Sequence, residues 1–203
     1  MKGSLIIIAF FVLGIVVGLQ SSTFNFQFST FNFQSSTFIL YALMFCVGIS
    51  IGSDTKTLKS FRGVNPRLVM LPMMTIVGTL AGTTAASAIL PHRHLFDCLA
   101  IGSGFGYYSL SSIFITEYKG AELGTIALLS NIMREIITLL CAPLLVRYFG
   151  KLAPISMGGA TTMDTTLPII TRTSGQDYVI VSIFHGFCVD FSVPFLVTFF
   201  CSL

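Results

Sequence analysis

Apolar runs of bilayer length follow one another along this chain, joined by short polar links, and that pattern leaves few folds open. The clearest run is "ELGTIALLSNIMREIITLLCAPLLVRYF" (122–149). A helix needs about 20 mostly apolar residues to cross a hydrocarbon core of about 30 Å. Segments 4–19, 68–90 and 178–203 read the same way, and 38–51 reads as a shorter span. With 54% hydrophobic residues, 9% charged residues and a mean hydropathy of +0.88, the chain lies outside the soluble range. No strand-length segments of alternating polarity stand out, so an all-α polytopic membrane protein is expected, a single transporter domain over residues 1–203. Lys2 and the first apolar run mimic a signal peptide, but without a small-x-small cleavage site they read as a retained helix.

The formal charge of +3 is small and sits in the links, which argues against nucleic acid as a partner. The five cysteines are dispersed singly in or beside apolar runs, with no C-x-x-C spacing. They read as packing residues, and neither a metal site nor a cofactor is expected. His92 and His94 flank Arg93 in a short link and suggest a solvated turn. No phosphate-binding Gly-Lys-Ser/Thr loop, H-E-x-x-H pair or nucleophile elbow is present, so the chain does not read as an enzyme.

Residues 20–37 form a low-complexity stretch in which "STFNFQ" occurs at 22–27 and again at 29–34, expected as an external loop. The link at 52–67 carries Lys56, Lys59, Arg62 and Arg67 against Asp54, and the positive-inside rule makes it cytoplasmic.

Two segments resist assignment as simple spans. "GSGFGYYSLSS" (102–112) and "GGATTMDTT" (158–166) place glycine, hydroxyls and a carboxylate where a crossing helix should be apolar. If both segments crossed fully, Arg147 and Lys151 would lie outside, against the rule; if each dips in and returns, they lie inside. The expected topology is therefore about five transmembrane helices plus two Gly-rich re-entrant or broken segments, N-terminus inside and C-terminus outside.

At a constant offset of 55 residues Gly104 meets Gly159, Ser109 meets Asp164, Ser111 meets Thr166 and Thr116 meets Thr171. One full span separates the two copies, the arrangement of an inverted repeat whose broken helices meet near the midplane.

Irregular backbone at membrane depth is tolerated where protein or a watery cavity covers it. The two glycine-rich turns thus predict a cavity, and Asp164 is the charge most in need of a reason, since a carboxylate there is costly. The candidate substrate- or ion-binding residues are Asp164, Gly159, Thr162, Thr165 and Thr166 in one copy, with Tyr108, Ser109 and Ser111 in the other. Hydroxyl clusters serve equally as helix-packing contacts. Asn131, Arg134 and Glu135 share one side of the 122–149 helix, either lining a path or forming a structural ion pair. His185 in "FHGF" is a candidate proton relay or a hydrogen-bonded helix histidine. Asp190 is a second intramembrane carboxylate.

The blocks "SGFGYYSLSSIFITE", "GTIALLSNIMREI", "GGATTMDTTLPIITRTSG" and "IFHGF" closely resemble the LysO family of bacterial L-lysine exporters over about residues 38–203. The resemblance implies a multi-pass protein of the bacterial inner membrane that exports lysine and analogues such as thialysine. Its important acid in the block like "GATTMDTTLP" falls on Asp164. Protons are the expected coupling ion and membrane lipid the surroundings. Longer members carry a further N-terminal hydrophobic region, which implies a separate short membrane protein as partner here. Asp190 stands where members usually have an uncharged residue. Two other readings stay open: a non-transporting subunit of a split complex, and a sodium/proton or organic-anion transporter of similar architecture.

Overall fold

The computed structural model describes residues 66–90 and 93–203 of the chain. The expectations for the first two spans, the 20–37 loop and nearly all of the basic 52–67 link lie outside the described residues. All regular structure among the described residues is helical. In chain order these are α1 (Pro66–Ser87), α2 (Leu95–Gly102), α3 (Tyr108–Lys119), α4 (Ala121–Phe149), α5 (Ala153–Gly158), α6 (Leu167–Ser174) and α7 (Val179–Cys201). Short 3-10 turns at Gly159–Met163 and Gln176–Tyr178 lead into α6 and α7.

The two polar-centred segments are both broken helices. The first halts at Gly102 and restarts at Tyr108. The second halts at Gly158, passes through the 3-10 turn, and resumes at Leu167 with Pro168 in its first turn. The first break is narrower than the polar stretch predicted, because Ser109, Ser111 and Ser112 fold into α3. A serine hydroxyl can bond back to the carbonyl one turn earlier and so travel inside an apolar helix. Ser111 does this with the Tyr107 carbonyl at 2.8 Å.

Each broken helix doubles back. Asp97 at the start of α2 and Lys119 at the end of α3 are joined by a 3.5 Å ion pair. Arg93, just before α2, pairs with Glu122 in the first turn of α4. The first hairpin therefore opens at the Ala121 end of α4. The second closes at the other end, where Ser174 donates its hydroxyl to the Lys151 carbonyl at 2.8 Å and the Lys151 ammonium sits 5.6 Å over the Tyr178 ring. Between them runs α4, which at 1.5 Å per residue is about 43 Å long. The 55-residue offset seen in the sequence reappears in the backbone. Pro66 begins α1 and Ala121 begins α4, while Lys119 ends α3 and Ser174 ends α6. The corner after each of these last two is a left-handed glycine, Gly120 at φ 93° and Gly175 at φ 108°.

Helices α4 (Ala121–Phe149) and Gln176–Cys201 (α7 with its leading turn) are long and apolar enough to cross a membrane. Their outward faces are greasy: Leu129, Met133, Leu140 and Leu144 on α4, and Phe191, Phe195 and Phe199 on α7. Their inward faces carry Asn131, Thr138, Ser182, His185 and Asp190, all buried. Polar residues inside and apolar residues outside is the distribution expected when the solvent is lipid, where helices associate through close packing and interhelical hydrogen bonds. The contact of α3 with α4 depends on this closeness. Gly124 leaves no room for a Cβ, which would meet Thr116 and the Ser112 carbonyl oxygen.

Replacing Gly124 by Ala is expected to destabilise the fold by about 1–3 kcal/mol, as overpacked sites usually do. Part of this should return in the Gly124→Ala/Thr116→Ala double variant, which frees the hydroxyl's space. Thermal unfolding in detergent micelles measures both; an unchanged midpoint for Gly124→Ala would rule out the close contact.

Candidate functional site

The tips of the two hairpins meet beside the middle of α4. The Ala160 N–H donates to the Phe105 carbonyl at 2.9 Å, one backbone touching the other directly. Such an approach excludes side chains. A Cβ at Gly159 (φ 64°) would run into the Phe105 carbonyl oxygen. Phe105 is itself a left-handed residue at φ 46° and is fully buried. A non-glycine residue in this conformation is a small store of strain, held because its surroundings over-determine it.

Two neighbouring side chains of α4 hold the tips. Asn131 accepts a hydrogen bond from the Gly106 N–H at 2.8 Å and donates to the Ala127 carbonyl at 2.9 Å and the Ile101 carbonyl at 3.3 Å. It thus satisfies freed backbone groups on both sides of the first break. Arg134 serves the second tip, donating from Nε to the Met157 carbonyl at 2.8 Å and from Nη2 to the Ser156 carbonyl at 3.2 Å. Its guanidinium also lies 5.9 Å over the Phe105 ring, so it touches both tips. The expected grouping on one side of the helix holds for this pair. No Arg134–Glu135 ion pair forms; Glu135 is half-buried and its side chain makes no hydrogen bond among the described residues.

The hydroxyls of the second tip mostly bind its own backbone. Thr161 donates to the Gly158 carbonyl at 3.0 Å, and Thr166 to the Thr161 carbonyl at 3.0 Å. Thr162 bonds the Gly159 and Ser182 carbonyls and stands 3.3 Å from His185 Nδ1. The other His185 nitrogen, Nε2, meets Thr75 Oγ1 of α1 at 2.9 Å. His185 is fully buried, and it bridges the tip to α1 through two hydroxyls. Gly186 beside it lets the tip lie against α7, since a Cβ there would strike Met163 and Thr162.

Asp164 is not buried in apolar packing. It caps the 3-10 turn, accepts the Thr165 N–H, and faces a cavity of about 90 Å³. Tyr107, Thr161, Met163 and Asp190 line the same cavity. Two carboxylates from elements far apart in the chain thus share one small space. Tyr107, directly after the break glycine, was missed in the sequence; Asp190, named there as a second carboxylate five residues beyond His185, was not linked to Asp164. Ser109 and Thr165 are exposed, and Tyr108 is half-buried. Thr75 and Thr79 of α1 were also missed; their spacing of four on a Gly- and Thr-rich helix face was the available signal.

On the other side of Arg134 a groove of about 570 Å³ runs between α1, α4 and α5. It is walled by Thr75, Thr79 and Thr83 on α1, Ser156 and Met157 on α5, and Leu145 and Phe149 on α4. Cys98, Cys141, Cys188 and Cys201 are free thiols.

Described residues that are all helical where regular, with membrane-length apolar helices, apolar exteriors and a polar interior, make this a helical membrane protein. The chain matches the family model described as lysine exporter LysO over residues 8–201, and it belongs to that family. It is 38% identical over 161 residues to "Lysine exporter LysO" of Escherichia coli (strain K12), covering 79% of this chain and 53% of that protein. It is 34% identical over 164 residues to "Putative lysine exporter" of Haemophilus influenzae (strain ATCC 51907 / DSM 11121 / KW20 / Rd), covering 81% of this chain and 83% of that one. The chain thus spans about half the length of the Escherichia coli relative. No solved structure matches it.

Changing Asn131 to Leu leaves the buried Gly106 N–H without its acceptor, and is expected to lower stability by about 1–3 kcal/mol. Met133→Leu, on the outward face of the same helix, should leave it within about 0.5 kcal/mol. Equal melting of the two variants in micelles would show that Asn131 does not hold the tip.

Proposed function

We propose that this chain exports L-lysine across the bacterial inner membrane, with Asp164 as the group that meets the cation. Family membership supports the substrate class. The observation that carries the site is the pairing of Asp164 with Asp190 around one small cavity at the meeting tips. Discontinuous helices meeting near the midplane are where such transporters hold charged solutes, and a carboxylate beside the break meets a cation. On this reading the two hairpins are re-entrant, one from each face, α4 crosses between them, and the site opens to the two sides alternately. Thialysine, which keeps the charges of lysine, travels the same route.

Export of a cation works against an inside-negative potential, about 2.3 kcal/mol per charge per 100 mV. Proton entry in exchange offsets that cost, and a carboxylate that binds either a proton or an ammonium couples the two. A second short membrane protein is proposed as a partner.

The test is accumulation of radiolabelled lysine in inside-out vesicles under an imposed proton gradient, with the chain alone and with a candidate partner. Asp164→Asn is expected to lower the initial rate at least tenfold while the protein stays in the membrane, since a charge-assisted contact is worth about 1.5–3 kcal/mol. Lysine flux insensitive to the gradient would remove proton exchange; flux undiminished by Asp164→Asn would remove the site.

A further inference from the structure

Arg134 carries its charge beside the meeting hairpin tips, and among the described residues no carboxylate pairs with it. Among the described residues the ion pairs are Arg93–Glu122 and Lys119–Asp97, both at one end of α4 and both remote from Arg134. Its bonds to Met157 and Ser156 are to carbonyls, which satisfy N–H groups without cancelling the charge. Both terminal nitrogens are 3.5 Å from Thr79 Oγ1, too long to count as a strong bond. A guanidinium carries five N–H donors in a planar fork suited to a carboxylate. Two are well used here, so the terminal edge retains donors on the side where the protein opens.

That side is the groove between α1, α4 and α5, and Arg134 lines it. Its volume of about 570 Å³ falls in the range of small-molecule sites. The groove also offers the hydroxyls of Thr75, Thr79 and Ser156, with Met74, Leu145 and Phe149 as apolar wall. A charge kept in lipid surroundings without a counter-ion is costly and marks a solute path.

The second hairpin divides two opposite chemistries. Its α5 half borders the groove with the guanidinium, and its 3-10 turn borders the cavity with Asp164 and Asp190. A solute bearing a carboxylate at one end and an ammonium at the other complements this pair of surfaces.

We propose that Arg134, with the hydroxyl of Thr79, forms a carboxylate-recognising site in this groove that selects amino acids over diamines. The assignment rests on the lysine reading above and extends it from the ammonium to the other end of the molecule. An anionic lipid headgroup shares the same chemistry, so the test separates the two.

Inhibition of labelled lysine uptake into inside-out proteoliposomes is measured with unlabelled lysine, with lysine methyl ester and with 1,5-diaminopentane, the last two lacking the carboxylate. The wild-type protein is expected to prefer lysine over both by about tenfold or more, as loss of a charge-assisted bond implies. Arg134→Gln should raise the KM for lysine by a similar factor and bring all three inhibitors to the same level. Thr79→Val should reduce the preference to a smaller extent. Equal inhibition of the wild-type protein by the diamine overturns the proposal without any variant, so a variant that fails to fold does not leave it open.

Persistence of the preference in membrane-inserted Arg134→Gln also overturns it. So does an effect of that variant confined to phosphatidylglycerol vesicles and lost in phosphatidylcholine vesicles, which would assign the groove to lipid. Absence of lysine uptake by the wild-type protein, by contrast, sinks the transport reading itself and this site with it.

Discussion

The direct bond between the backbones of the two hairpin tips, Ala160 N–H to the Phe105 carbonyl, is the constraint around which the described structure is arranged. Breaking a helix inside a membrane protein frees amides and carbonyls that lipid cannot satisfy. Here the freed groups are answered from within. Asn131 takes those of the first break, Arg134 those of the second, and the tip threonines take many of the rest. The glycines follow from the same demand, since a side chain at Gly159 would part the tips. Even the buried histidine fits this scheme, tying the second tip to α1 through Thr162 and Thr75.

This arrangement leaves few polar groups unspent, and those few identify the places where a solute can act. Asp164 and Asp190 face one cavity, while Arg134 turns its terminal nitrogens to the groove. The opposite charges border two sides of one short hairpin. Around them the outward surfaces of α4 and α7 are apolar. The charges of both sites therefore lie away from those apolar faces.

Much of this was legible in the sequence, because apolar runs and glycine breaks are local signals. The ends of α4 at Ala121 and Phe149 fall within a residue of the apolar run, and both breaks fall inside the Gly-rich stretches. The 55-residue offset read from other pairs in the sequence also separates the corner glycines Gly120 and Gly175. What was not legible depended on which faces meet. Asp190 and Tyr107 gain their interest from sharing a cavity with Asp164, and nothing in their own neighbourhoods announces that. The serines of 109–112 looked like part of a break because composition does not reveal a hydroxyl bonding back into its own helix. The turns were expected to border a cavity, and Asp164 does face one, though its second carboxylate neighbour was not foreseen.

The placement of Asn131 and Arg134 has a mechanical corollary. They stand three residues apart on α4, less than one helical turn, so both tips are anchored to nearly the same point of one stiff rod. Neither tip can swing away alone without breaking its anchor, and parting the two also breaks the bond between their backbones. The hairpins are ganged: a displacement of α4 would carry both tips with it, against the bonds that tie Thr162 to α7 and His185 to α1.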